Sequence, residues 1–213
     1  MILLMVVWYM SMSSLIESLL EQDETEARKI IHEEINKGHS ANEIINRELL
    51  PALQSIGEQW SCGDVALAQI YTSGKLCEKL LDELLEETSI EINEEKEELA
   101  LVLLEDYHVM GKRIVQSFLR SSGYRVIDYG RMDADELITR VIEDKPKTLL
   151  ISVLMINSAR RVGYIREKLD AQGVDVRMIV GGAPFNLDKE LWSVVGADAT
   201  APDAGALLKL LEA

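Results

Sequence analysis

The sequence of 213 residues is poor in basic residues, in cysteine and in long apolar runs. Its 22 lysines and arginines stand against 37 aspartates and glutamates, which gives a formal net charge of −15. Because a nucleic-acid partner needs clustered Lys and Arg, this balance excludes nucleic-acid binding and favours docking on basic protein surfaces. Only the first ten residues are strongly apolar, too few to cross a bilayer, so no membrane partner is expected.

The two cysteines, Cys62 and Cys77, lie fifteen positions apart and belong to no Cys/His cluster. This pattern predicts neither a zinc site nor a disulfide framework, and it favours a reducing, cytoplasmic location. We expect two free thiols, each buried or half-buried. The apolar start lacks the basic region and the cleavage site of a secretory signal, so residues 1–12 are interpreted as a packed arm or an over-extended start.

Residues 13–87 have helical periodicity throughout and are predicted to form a small antiparallel four-helix bundle. Asp23 is a suitable N-cap, and Ser40 with Glu43 has the spacing of a capping box. Further along, apolar residues recur at helical spacing, and Pro51 is expected to kink or break that helix.

The glutamate-rich stretch 88–98 is interpreted as a linker, since a charge run of this kind is usually solvated. Beyond it, residues 99–213 alternate between apolar strands and helices. Five such units predict a parallel sheet covered on both faces, in the α/β, flavodoxin-like (Rossmann-like) arrangement. The strands are expected at 99–105, 124–130, 148–154, 176–182 and 197–201, and the helices near 109–122, 133–144, 158–172, 187–195 and 204–213.

Unusual residues follow three of these strands: Asp106, His108 and Gly111 after the first, Ser152 and Leu154 at the third, and Gly181 and Gly182 at the fourth. Ligands of open α/β sheets bind outside the carboxyl ends of the strands, so we expect these groups to surround one crevice. Each residue also has a plain structural interpretation, such as a helix cap for Asp106 or a turn for the two glycines.

The spacing D-x-H-x-x-G, here Asp106 to Gly111, followed by S-x-L and then by G-G, resembles the signature of cobalamin (vitamin B12)-binding domains. The helical part, including LLPALQSIGEQWSCGDVALAQI, looks like the four-helix cap that precedes this domain in methionine synthase and in the small corrinoid proteins of methyltransferase systems. The resemblance covers nearly the whole chain. It implies that residues 99–213 bind cobalamin, a cobalt-containing corrinoid that carries a methyl group.

The resemblance also implies a role for individual residues. His108 would replace the cofactor's own dimethylbenzimidazole as lower ligand to cobalt, Asp106 would fix its tautomer, and Ser158 would extend the pair. On leaving the metal the imidazole could take up a proton, with Asp106 stabilising the cation. The displaced nucleotide tail is expected in a slot between the third and fourth strands. Further cofactor-binding residues are Val109, Met110, Gly111, Ser152, Leu154, Gly181 and Gly182.

Four positions depart from the family pattern. Glu105 replaces the usual glycine before the aspartate, and Ile156 stands where methionine synthase has a threonine near the nucleotide tail. In the cap, Ala66 falls where a phenylalanine often lies above the methyl group, and Ala68 falls where a proline is common.

The function implied is that of a methyl-carrying corrinoid subunit with no turnover of its own. Its expected partners are a substrate-specific methyltransferase, a second methyltransferase that uses tetrahydrofolate or a thiol, and a reductive activation protein. The cap is expected to shield the upper face of the cofactor and to move aside for a partner. Methanol, methylamines, methyl sulfides and aryl methyl ethers are all possible methyl donors.

Three alternatives remain open from the sequence. One is a cobalamin-dependent sensor or regulator, although such proteins add a DNA-binding domain that this acidic chain does not resemble. The others are a subunit of an adenosylcobalamin mutase and a cofactor-free flavodoxin-like domain that binds partners.

Overall fold

The structure, a computed structural model, describes residues 14–86 and 93–213 and divides the chain into two compact units between Ser89 and Ile90. The predicted arm at 1–12 lies outside the described residues, as does the stretch 88–92 of the predicted linker. The rest of that linker, residues 93–98, contains turns and bends but no helix or strand. No helix in the described part of the chain is both long and apolar enough to span a bilayer.

The first unit is helical. Its elements are α1 (residues 14–21), α2 (Glu24–Asn36), α3 (Ala41–Ile44), a π-helical turn (Ile45–Leu49), α4 (Leu50–Cys62) and α5 (Leu67–Glu86). Because α3, the π turn and α4 follow one another without a break, the described residues contain the four helices that the sequence predicts. The Asp23 side chain accepts the Glu26 N–H at 2.9 Å, and Ser40 with Glu43 forms the reciprocal capping box, so both predicted helix starts are confirmed.

Pro51 lies in the first turn of α4 and does not break the helix. A proline lacks an N–H, and its ring crowds the carbonyl four residues earlier. Just before it the helix widens into the π turn, where the Leu50 N–H bonds to the Ile45 carbonyl five residues back. Glu48, within this turn, is buried, and its Oε2 has no hydrogen-bond partner in the described residues. Burial, together with the negative charge of Glu34, raises the pKa of Glu48 to about 7.

Both cysteines are free thiols. Cys77 is buried, as predicted, and burial raises the pKa of its thiol to about 12. The expectation that Cys62 is buried or half-buried is wrong, because this residue is exposed. It is the last residue of α4, where Gly63 takes the left-handed conformation (φ 86°) and ends the helix.

The second unit is a five-stranded parallel sheet with helices between the strands. Its elements are β1 (Leu99–Leu104), α6 (Met110–Ser121), β2 (Val126–Met132), α7 (Ala134–Asp144), β3 (Thr148–Ser152), α8 (Ile156–Ala171), β4 (Arg177–Gly181), α9 (Ala183–Leu187), α10 (Leu191–Val194), β5 (Ala199–Thr200) and α11 (Ala204–Leu211). The strand order β2-β1-β3-β4-β5 is that of the flavodoxin-like fold, and it confirms the predicted fold class.

One predicted helix, near 187–195, is wrong in extent. The chain forms two short helices instead, α9 and α10, separated by Asp188 in an extended conformation. Helix α9 begins at Ala183, directly after Gly182. Pro184 favours this early start, because its φ is fixed near the helical value and a residue in the first turn needs no N–H partner.

Successive residues of each strand point to opposite faces of the sheet, and both faces are buried. Leu99 and Leu101 of β1 pack in one core with side chains from α6 and α11, while Ala100 and Val102 pack in the other with side chains from α7 and α8. Because α6 follows β1 and α8 follows the neighbouring β3, these two connections leave the sheet in opposite directions. A crevice therefore opens between the carboxyl ends of β1 and β3.

Candidate functional site

The β1–α6 loop begins with an unusual backbone turn. Glu105, the first residue after β1, has φ 56°, in the left-handed region that glycine occupies without strain. Its N–H donates to the carbonyl of Met132 at the end of β2, at 2.9 Å. This turn points the next residue, Asp106, back into the protein, where it is 4% exposed. Glycine, the residue that the family resemblance implies at position 105, would adopt this conformation without strain.

The Asp106 carboxylate accepts three hydrogen bonds from the segment that follows β3. Its Oδ2 accepts the N–H of Leu154 at 2.6 Å and the N–H of Met155 at 3.3 Å. Its Oδ1 accepts the hydroxyl of Ser158, in the first turn of α8, at 3.3 Å. The buried carboxylate thus ties the two loops of the crevice together. The interpretation of Asp106 as a cap of α6 is wrong, since its partners belong to the other loop.

His108 lies on the surface of the same loop. Its side chain is exposed, like that of the neighbouring Tyr107, whose ring lies 4.2 Å from the guanidinium of Arg131. In the described residues, no hydrogen bond joins the His108 ring to Asp106. The predicted pair is therefore adjacent in the loop, with the carboxylate already anchored and the imidazole facing solvent.

The first turn of α6 carries the remaining residues of the first motif. Val109 is half-buried and Met110 is buried, so Met110 packs into the domain and presents little surface to a ligand. Gly111 is exposed, and a Cβ placed on it would lie 3.9 Å from the Ser152 Oγ at the end of β3. Gly111 therefore leaves free, beside Ser152 at the carboxyl end of β3, the space that a Cβ would occupy.

The two glycines at the end of β4 have a structural reason within the protein itself. A Cβ on Gly182, which has φ 117°, would lie 1.8 Å from the Val153 carbonyl oxygen, and one on Gly181 would lie 3.3 Å from the Ala201 carbonyl oxygen. The protein's own backbone therefore requires Gly182, whatever ligand is bound. Since β3 and β4 are hydrogen-bonded in register up to Ser152 and Gly181, no slot opens between these strands within the sheet.

Apolar side chains border the crevice where the β3–α8 loop turns outward. Leu154, Met155 and Ile156 are 41%, 56% and 43% exposed, although two of them give their backbone N–H groups to Asp106. An exposed apolar edge beside an exposed imidazole suits a large, flat, partly apolar ligand that binds a metal.

Two ion pairs at this edge were not predicted from the sequence. Arg161 of α8 binds Glu105 at 3.3 Å, and Lys112 of α6, with a side chain only 7% exposed, binds Asp128 of β2 at 2.5 Å. The sequence shows that Glu105 departs from the family pattern, but Arg161, which binds it, lies 56 positions further along the chain. No local pattern identifies such a contact.

The residues present fit cobalamin. A corrin ring already holds cobalt through its own nitrogens, so the protein has to supply a single ligand, and an exposed neutral imidazole is a suitable one. A second group is needed to orient that imidazole, and a rigidly held carboxylate lies two residues earlier. The lack of a side chain at Gly111 lets a ligand approach the backbone beside Ser152.

Comparison with known proteins gives concordant results for both units. One family model, described as a B12 binding domain, matches residues 99–209, and a second with the same description matches residues 13–85. Monomethylamine corrinoid protein 1 of Methanosarcina mazei is 31% identical over 209 residues, which cover 92% of this chain and 93% of the relative. Trimethylamine corrinoid protein 2 of the same organism is 30% identical over 203 residues, covering 90% and 91%.

A solved structure supports the same grouping. The monomethylamine corrinoid protein of Methanosarcina barkeri matches with a TM-score of 0.78 at 25% identity, covering 93% of this chain and 95% of that one. The likeness extends over nearly the full length of both chains and includes the helical part as well as the sheet.

Proposed function

The chain belongs to the family of B12-binding corrinoid proteins, and we propose that it carries a methyl group on cobalamin between two methyltransferases, with His108 as the protein's ligand to cobalt. Cobalamin is its cofactor. The observation that carries the proposed ligand is the exposed imidazole two residues after a buried carboxylate, at the crevice between β1 and β3.

When bound, cobalamin supplies a cobalt ion that takes up and gives away a methyl group. His108 would bind this metal through one ring nitrogen and would direct the N–H of the other toward Asp106. A carboxylate offers about four acceptor positions, and the three donors from Leu154, Met155 and Ser158 leave one for the imidazole. Because Oδ1 accepts only the Ser158 hydroxyl, the open position lies on that oxygen.

Asp106 would also stabilise the protonated ring when the imidazole leaves the metal, since a negative charge nearby favours the cationic form. Ser158 supports this role by fixing Oδ1, and the Leu154 and Met155 amides fix Oδ2.

The rest of the crevice would receive the displaced nucleotide tail. We place the tail at the carboxyl edge of β3 and β4, beside Ser152, where Gly111 presents no side chain. The exposed side chains of Leu154 and Ile156 would offer apolar surface to the corrin. In this assignment Gly182 keeps the loop after β4 close to β3 and does not touch the tail.

We propose a methylamine as the source of the methyl group, because similar proteins carry the names monomethylamine and trimethylamine corrinoid protein. The partners would be a methylamine-specific methyltransferase, a second methyltransferase that passes the methyl to a thiol or tetrahydrofolate, and a reductive activation protein. The net charge of −15 suits basic docking surfaces on these partners.

The lower-ligand assignment can be tested by electron paramagnetic resonance of the Co(II) cofactor bound to protein that contains nitrogen-15 histidine. A histidine ligand gives doublet splittings, whereas a natural-abundance benzimidazole gives triplets. Wild type should show doublets, His108→Ala should lose them, and the exposed His32→Ala should keep them. Triplets in wild type, or doublets that survive in His108→Ala, would overturn the assignment.

The methyl-carrier role has its own test. Methyl transfer from monomethylamine or trimethylamine is measured with the corresponding methyltransferase and the cobalamin-loaded chain, and the methylated cofactor is followed by its absorption. Uptake of methyl from one of these amines is expected. Loading with cobalamin but no methyl uptake from any amine would contradict the donor assignment.

A further inference from the structure

Two consecutive acidic residues at the end of β1 are both held by α8. The Glu105 Oε1 accepts the Arg161 Nε–H at 3.3 Å, and the Asp106 Oδ1 accepts the Ser158 hydroxyl at 3.3 Å. Ser158 and Arg161 are three residues apart on the helix and therefore share a face. The first turns of α8 thus bind the start of the β1–α6 loop at two successive positions.

The backbone conformation of Glu105 requires stabilising contacts from its side chain. A residue with a Cβ in the left-handed region, here at φ 56°, is disfavoured by about 1 kcal/mol or more unless its surroundings fix it. The Oε1 that binds Arg161 also accepts the N–H of Ala134, the first residue of α7, at 3.3 Å. The side chain therefore bridges α7 and α8 while the backbone reverses direction and turns Asp106 inward.

Arg161 is itself held in place. Its guanidinium lies 4.4 Å from the centre of the Tyr164 ring, and the Tyr164 hydroxyl donates to Asp135 of α7 at 2.8 Å. Stacking on an aromatic face restricts a planar guanidinium, so less freedom is lost when it binds a carboxylate. The contacts form a chain from α7 through α8 to the turn at Glu105.

We infer that Glu105 and Arg161 are positioning residues for the lower-ligand histidine: their ion pair fixes the left-handed turn that sets Asp106, and with it the loop that carries His108. Both would act through the backbone of the loop rather than by contact with the metal. The effect on His108 rests on the proposed function, whereas the effect on Asp106 is a property of the protein alone. Breaking the pair frees the turn, and Asp106 then spends less time on the Leu154 and Met155 amides.

Hydrogen exchange in the cofactor-free protein tests the first part. The Leu154 and Met155 amides should exchange about two- to fivefold faster in Arg161→Met and in Glu105→Gln, the range expected for a partly exposed ion pair. Arg161→Lys keeps the charge and should recover part of the protection. The exposed Arg160, on the same helix, gives the matched control Arg160→Met, which should exchange like wild type.

Glu105→Gly separates the side-chain anchor from the backbone conformation. Glycine accepts the left-handed turn without strain but removes the carboxylate. If the ion pair fixes the turn, Glu105→Gly exchanges as fast as Arg161→Met in spite of the relieved strain. Exchange at the wild-type rate in both Glu105→Gly and Arg161→Met would overturn the inference.

The second part is tested with cobalamin bound. We measure the ratio of Co(II) cofactor with histidine splitting to Co(II) cofactor without it. This ratio should fall about two- to fivefold in Glu105→Gln and in Arg161→Met, and it should fall no further in the double variant. Unchanged fractions in these variants, with histidine splitting in wild type, would overturn the inference alone. Wild type without histidine splitting would overturn the proposed ligand, and the amide exchange would still decide whether the pair sets Asp106.

Discussion

The hydroxyl of Ser158 donates a hydrogen bond to Asp106 Oδ1 at 3.3 Å, although 52 residues separate the two in sequence. Both residues are buried, at 5% and 4% exposure. Together with the Leu154 and Met155 amides, this bond fixes the carboxylate from the side of β3, so contacts within the protein hold the residue that would orient His108.

Ser158→Ala should weaken the protein modestly, because it removes one hydrogen bond and leaves Asp106 with two. We expect the free energy of unfolding to fall by about 1 kcal/mol, measured by denaturant titration of the cofactor-free protein. The exposed Ser193→Ala is the control and should change stability little. Equal stabilities for the two variants would mean that the Ser158 bond contributes nothing.

Asp106→Asn should keep the fold but weaken histidine ligation. The amide oxygen can accept the Leu154 and Met155 N–H groups, and the amide nitrogen can donate to Ser158, but no acceptor is then left for an imidazole N–H. The fraction of Co(II) cofactor with histidine splitting should fall below wild type yet exceed that of His108→Ala. A fraction equal to wild type would show that Asp106 does not orient the ring.

Two glycines of the motif should respond in opposite ways to alanine. In Gly111→Ala the new Cβ lies 3.9 Å from the Ser152 Oγ, an ordinary contact, and alanine favours the helix, so the cofactor-free protein should be as stable as wild type or more so. Its cobalamin uptake, followed by absorbance after gel filtration, should nevertheless drop, since the Cβ fills space in the crevice. Uptake equal to wild type would exclude Gly111 from the binding surface.

Gly182→Ala should instead destabilise the sheet domain by about 3 kcal/mol or more, because its Cβ would lie 1.8 Å from the Val153 carbonyl and its φ is 117°. Circular dichroism during thermal unfolding measures the loss. Gly163→Ala, on α8 with its nearest contact at 3.8 Å, is the matched control and should unfold near the wild-type temperature. A Gly182→Ala protein of normal stability would contradict the close approach of these two backbones.

Glu48 should make the helical unit less stable as the pH rises. Burial first, and then the charge of Glu34, raise its pKa from 4.5 to about 7, so the folded state holds a proton that the unfolded state releases between these values. Its stabilising effect is complete below about pH 4.5 and is lost through pH 7, at up to about 1.4 kcal/mol per pH unit.

The variant Glu48→Gln removes this titration, and its advantage over wild type should grow from pH 5 to pH 8 in denaturant titrations. The exposed Glu33→Gln on α2 should follow the pH dependence of wild type. A constant difference between Glu48→Gln and wild type across that range would mean that Glu48 does not titrate there.

The sheet was predictable because its strands are short apolar runs buried on both faces. Leu99–Leu104 is apolar at every position and buried at every position, so length and the flanking polar residues identify it as a strand. The single helix expected near 187–195 was wrong because Pro184 and Asp188 impose an early start and a break. The early start of α9 has a local signal in the sequence, because Pro184 follows the glycine pair by two residues and favours a first helical turn.

The sequence predicts which residues form the candidate site, but it predicts only some of the contacts between them. Asp106 and His108 were recognisable from a six-residue motif, but the three donors to Asp106 come from residues 48 to 52 positions further on. The π turn at Ile45–Leu49 and the bridge from Glu105 to Arg161 depend on packing between elements, and neither has a periodic or local signature. The close approach of Gly182 to the Val153 carbonyl is a further contact between elements that the sequence does not reveal, and the ligand-binding role of Gly182 stays a prediction.

The bonds between the β1–α6 loop and the start of α8 have a consequence for protein engineering. Four hydrogen bonds join Glu105 and Asp106 to the segment 154–161, so a transplant of the first segment alone onto another doubly wound sheet would bury a carboxylate with no donors. The two segments have to be grafted as a pair, with a glycine at the position of Gly182 in the recipient. The recipient also needs an acceptor and a donor for Glu105, since its N–H bonds to Met132 at the end of β2 and its carboxylate accepts the N–H of Ala134 at the start of α7.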